Sequence, residues 1–99
     1  MATLNAKDFL RTLVFGHFTH PNYQQIKFTF DNGVLGFEMK DTKSGNEFKG
    51  SCDVSNCEDA YFVMRKVGKQ AGSQSYFYRT VRRVFKELRK VEMLKESQP

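Results

Sequence analysis

No apolar run in the sequence approaches the roughly 20 residues needed to span a bilayer. There is also no internal repeat, low-complexity tract or proline-rich linker among the 99 residues. A membrane-spanning chain and a repeat array are therefore set aside, and a single domain over residues 1–99 is expected. Cysteine is scarce, with only Cys52 and Cys57. In a chain read as intracellular, two cysteines are expected as free thiols rather than as a disulfide. The leading stretch MATLNAKDFLRTLVF has neither a basic start nor a small-residue cleavage site. No signal peptide is read, and a cytoplasmic, non-secreted location is expected. The sequence also lacks a phosphate-cradling glycine motif and any set of nucleophile and base, and its acids are scattered over turns and strands. Neither an enzyme nor a cofactor is expected.

Aromatics and positive charge are plentiful. Ten Phe and four Tyr accompany a hydrophobic content of 39%, so the core should be aromatic-rich. Residues 1–60 carry six basic side chains against eight acidic ones, while residues 61–99 carry ten against three. These halves, −2 and +7, make up the net charge of +5. A weakly acidic body with a strongly basic C-terminal part points to a polyanionic partner.

The chain reads in the order α-β-β-β-α-α. A first helix is expected over residues 6–15. Asn5 caps it, Asp8 favours its N-terminal dipole, Phe9, Leu10, Leu13 and Val14 share one face, and Gly16 ends it. HFTHPNY, residues 17–23, reads as a loop. In QIKFTFDNGVLGFEMK, apolar and polar residues alternate on both sides of Asn32-Gly33, the preferred type I′ pair. A two-residue turn pairs Asp31 with Val34, Phe30 with Leu35, Phe28 with Phe37 and Ile26 with Met39, and sets Lys27 against Glu38 on the other face. A slip of one residue destroys that match. After a second turn at DTKSG, Phe48, Gly50, Cys52 and Val54 alternate with polar residues as a third strand. Ser55 and Glu58 form a capping-box pattern for a second helix over 56–68, with Cys57, Ala60, Tyr61, Met64 and Gly68 on its inner face. GKQAGSQS reads as a flexible basic connector to a last helix over 75–95. The expected fold is a two-layer α+β domain, a three-stranded antiparallel meander covered by helices.

The last helix divides sharply by angle. At about 100° per residue, with Val81 at zero, Phe77, Val84, Phe85, Leu88 and Val91 fall between about −80° and +40°. Arg79, Arg82, Arg83, Lys86, Arg89 and Lys90 fall between about +80° and +200°. The face contains no acid, since Glu87 and Glu92 lie outside it. An ordinary solvated helix mixes signs to gain i,i+4 pairs, whereas Arg79–Arg83, Arg82–Lys86 and Lys86–Lys90 repel. Phosphates would compensate through counterion release, and arginine suits bidentate contacts to them. Lys66 and Lys69 extend this surface through the connector.

Competing readings bear on the same residues. The order α-β-β-β-α resembles the double-stranded-RNA-binding domain. That family has a lysine-rich segment at the start of the helix after the sheet, where this chain has the acidic SNCED of residues 55–59, so the resemblance stops at topology. Binding on the sheet surface requires exposed aromatics and positive charge, which the charge-balanced outer face lacks. A helix-turn-helix from the last two helices conflicts with the long connector. A membrane-surface helix conflicts with the core's need for the apolar stripe. Tyr76 and Tyr78 could stack on bases, but are read as wedges against the sheet edge. His17, His20, Cys52 and Cys57 have spacings unlike a zinc pair, and Cys52 belongs to an apolar series, so no metal is expected. The favoured expectation is a small nucleic-acid-binding protein, for DNA or RNA, without membrane association. The alternative is an interaction or inhibitor protein, such as a viral accessory factor, docking on an acidic partner surface. A monomer fits both, and a homodimer joined near Met93 and Leu94 does too.

Overall fold

The computed structural model describes residues 4–16, 18–19, 24–41 and 43–97, with residues 19, 24 and 92–97 described by backbone alone. Its elements are α1 (Ala6–Phe15), β1 (Phe18–Thr19), β2 (Gln24–Asp31), β3 (Val34–Asp41), β4 (Glu47–Asp53), α2 (Ala60–Ala71) and α3 (Tyr76–Ser97). The strands form one antiparallel sheet in the order β1-β2-β3-β4. β2, β3 and β4 are the expected meander, and the fold is the expected small α+β domain.

The hairpin register is the one its sequence dictates. Asp31 pairs with Val34, Phe30 with Leu35, Phe28 with Phe37, Ile26 with Met39 and Lys27 with Glu38. Asn32 and Gly33 take φ of 51° and 77°, the left-handed pair that a type I′ turn requires. Phe28, Leu35 and Phe37 are buried beneath the helices, while Lys27, Lys40, Lys49 and Asp53 stay on the wet face. Gly50 makes room for the Phe37 ring, since a Cβ there would lie 2.5 Å from it. Phe37 in turn meets Phe77 of α3 at 4.7 Å between ring centroids. Phe9 of α1 meets Phe85 of α3 edge-on at 6.0 Å. One core cluster joins side chains of all three helices to those of the sheet.

The structure differs from the sequence expectation at five places. The segment expected as a loop contains β1, whose Phe18 ring packs edge-on against Phe28 at 5.7 Å; His17 and residues 20–23 lie outside the described residues. The second helix starts at Ala60, capped by Asp59, whose carboxylate accepts the Tyr61 N–H at 2.8 Å. Ser55 is engaged elsewhere, donating its N–H at 2.9 Å and its hydroxyl at 2.6 Å to the Asp53 carboxylate. Those bonds hold the Asp53 carboxyl below its ordinary pKa. The later start also changes the inner face, which is Ala60, Val63, Met64 and Val67, leaving Tyr61 44% exposed.

The last turn of α2 continues through Gly68 to Ala71, so the connector shrinks to Gly72–Ser75. Gly68 sits in the helix because the Tyr78 ring lies 2.8 Å from where its Cβ would be. The stripe of α3 is buried at Phe77, Val81, Val84 and Phe85 and half-buried at Leu88, but Val91 is 47% exposed. A helix of 22 residues runs past the core, and Thr80 occupies a buried position instead. Finally, Phe30 and Phe48 face the helix side yet remain exposed, each lining an open cleft beside a helix rather than packing into the core.

Candidate nucleic-acid interface

α3 begins where Ser75 turns the chain. The Ser75 hydroxyl donates to the Gly72 carbonyl at 2.8 Å and accepts the Tyr78 N–H at 3.2 Å. Burial of the Phe77–Phe85 stripe then fixes the helix's rotation, and the opposite side is left to solvent. Arg79, Arg82, Arg83, Lys86, Arg89 and Lys90 are all exposed. Among the described residues the one salt bridge is Lys49–Glu47 at 3.9 Å, so none of the six pairs with a carboxylate. Arg79 donates to the Gln74 side chain at 3.2 Å and lies 5.9 Å from the Tyr76 ring centroid. Arg89 lies 5.8 Å from the Phe85 ring centroid. Such stacking holds a guanidinium in place while leaving its N–H donors directed outward.

Beside this face lies α2. Tyr78 of α3 lies against Gly68, and Phe85 lies 6.2 Å from Tyr61. Both pairs are seven residues apart on each helix, so α2 and α3 run antiparallel over two turns. The four-residue connector has the length of a helix-turn-helix turn, but the antiparallel hairpin lacks the near-perpendicular crossing of that motif.

This hairpin brings in a cation that the sequence reading omits. Arg65 lies 5.9 Å from the Tyr61 ring centroid, the Tyr61 and Phe85 rings are 6.2 Å apart, and Arg89 lies 5.8 Å from the Phe85 centroid. Arg65 therefore shares the surface of the α3 cations. Its signal in the sequence is its i,i+4 spacing from Tyr61, which becomes informative once α2 is placed with Val63 and Val67 inward. Lys66 goes the other way. Its ammonium donates to the Asp53 carbonyl at 3.0 Å, at the end of β4. With Lys69 it lines a shallow cleft beside Ser51 and Asp53, on the flank of α2 away from α3. The six α3 residues thus stand together, and Lys66 and Lys69 stand apart from them.

Of the two tyrosines read as wedges, Tyr78 packs against α2 and Tyr76 lines a cavity with Phe48 and Gly50 at the sheet edge. Among the described residues no group of three or more His, Cys, Asp or Glu could hold a metal ion, and His17 and His20 lie outside them. No helix among them is long and apolar enough to cross a membrane. Neither a protein-family model, a curated protein nor a solved structure matches the chain.

Proposed function

We propose that this chain is a nucleic-acid-binding domain of the cytoplasm that holds phosphates on the cationic face of its α2–α3 hairpin, without catalysis. One observation carries the reading: six exposed cations on α3 have no carboxylate partner among the described residues. Fold stability does not account for them, because the opposite stripe already anchors the helix. Like charges one turn apart repel by a few tenths of a kcal/mol per pair, and a polyphosphate backbone would relieve that repulsion. Contacts made to phosphates position the protein without reading bases, so modest sequence preference is expected.

The test is binding of the purified protein to single- and double-stranded DNA and RNA across a salt series, followed by neutralisation of all six α3 cations. Affinity that falls steeply with salt and disappears in the neutralised protein supports the reading. Retained affinity removes the site. A protein partner recovered after nuclease treatment, in place of nucleic acid, would replace this reading with docking on an acidic protein surface.

A further inference from the structure

A second surface lies between α1 and the tip of the β2–β3 hairpin. It is an open groove of about 520 Å³, large enough for a ligand of several side chains. Leu10, Val14, Phe15 and Phe30 line it, and none of its lining residues is acidic. Phe15 is 76% exposed, the most of the large hydrophobic side chains among the described residues, and Phe30, 44% exposed, lines the same groove. Exposed apolar patches rimmed by charge mark interaction sites. Here the rim is Lys7 and Arg11, one helical turn and about 6 Å apart along the axis. Neither forms an ion pair with a carboxylate among the described residues.

We propose that this groove docks an acidic amphipathic helix of a partner protein. Its apolar row would lie among Leu10, Val14, Phe15 and Phe30, and two of its carboxylates, one turn apart, would face Lys7 and Arg11. Charge complementarity selects this occupant. α1 is 10 residues long, about 15 Å, which matches nearly three turns of a helix laid alongside it. The groove is open along one side, so an acyl chain placed in it would remain half in water. A second copy docked groove to groove would set Lys7 and Arg11 against the same two cations. The site is separate from the α3 cations and does not depend on their role.

The probe is a fluorescein-labelled helical peptide with Leu at i, i+3, i+4 and i+7 and two Glu one turn apart on the flank, beside a twin carrying Lys for Glu. The acidic peptide should bind, with amide shifts at residues 6–16, 30–34 and 54–57. Lys7→Glu with Arg11→Glu should weaken it about tenfold and transfer preference to the Lys peptide. Phe15→Ser should weaken it too, and because Phe15 is exposed this variant keeps its fold should the charge reversal not. Three results overturn the proposal. They are no binding up to about 1 mM peptide, shifts confined to residues 79–90, and a dimer by light scattering that Phe15→Ser dissociates, since a second copy would then occupy the groove.

Discussion

Asn5 and Asp59, the N-caps of α1 and α2, face each other in an antiparallel bridge. Each cap accepts the N–H two residues on, Lys7 for Asn5 at 2.7 Å and Tyr61 for Asp59 at 2.8 Å. The first N–H of each helix is satisfied by the other segment, Ala6 by the Glu58 carbonyl at 3.0 Å and Ala60 by the Leu4 carbonyl at 2.9 Å. Two helix starts 54 positions apart in the chain thus share one solution for donors that would otherwise have no intrahelical partner. Asn5→Ala and Asp59→Ala should each destabilise the protein by about 1 kcal/mol. Because the bridge ties the two caps together, the double variant should lose less than the sum. Urea unfolding of the four proteins checks this, and strict additivity would show that the caps act independently.

Gly68 and Tyr78 set the spacing of the α2–α3 hairpin. In an exposed helix interior, Gly→Ala gains roughly 1 kcal/mol. Here the new methyl would lie 2.8 Å from a ring held between two helices. Gly68→Ala should therefore destabilise by about 1–3 kcal/mol, the usual penalty of overpacking. Adding Tyr78→Ala should remove most of the extra loss contributed by the methyl. A raised melting temperature for Gly68→Ala alone would contradict the close approach of the helices.

How much of this is legible beforehand depends on whether local and distant signals agree. The β2–β3 hairpin is legible because alternation, the Asn32-Gly33 turn and the Lys27–Glu38 pair all select one register. The α3 cations are legible because the stripe from Phe77 to Phe85 fixes their angle. The start of α2 is not. Ser55 with Glu58 is a valid local capping pattern, but Asp53 takes the Ser55 hydroxyl and Ala6 takes the Glu58 carbonyl, and neither competitor is visible in a short window. Gly68 reads as the last residue of the second helix, and only its contact with Tyr78 accounts for a helix that continues to Ala71. Arg65 enters the site through the contact of Tyr61 with Phe85, a pairing between helices that periodicity alone does not supply.

The cationic face predicts a measurable dependence on salt. Each phosphate neutralised on duplex DNA contributes about −0.9 to the slope of log affinity against log salt. Replacing Arg82, Arg83 and Lys86 by Gln should lower the slope by about 2 to 3 and weaken binding evenly across sequences. Arg65→Gln should reduce it by about 1, whereas Lys66→Gln should leave it unchanged, since Lys66 is bonded to the Asp53 carbonyl on the other flank. Equal effects of Arg65→Gln and Lys66→Gln in fluorescence anisotropy would contradict the division of α2 into two flanks.

Cys52, on β4, gives a prediction in the alkaline range. Its burial, and next the neighbouring Cys57 thiol, push the Cys52 thiol up from an ordinary value of 9.0 to about 11, against the opposing pull of Lys66. The raised value favours the protonated thiol in the folded state. Below pH 9 both folded and unfolded chains keep the proton, and the contribution to stability is complete. As pH rises above about 9 the unfolded chain loses its proton first, so stability falls until the folded thiol ionises near 11. Cys52→Ala lacks this dependence, so its urea midpoint should decline less than that of the wild type between about pH 8 and pH 10. The same protonation slows attack by the thiol. Alkylation of native Cys52 by iodoacetamide should be slow near neutral pH and accelerate steadily with pH, as read by mass spectrometry of the modified peptide. Rapid labelling of Cys52 at pH 7 in the folded protein would contradict its protonated, partly buried state.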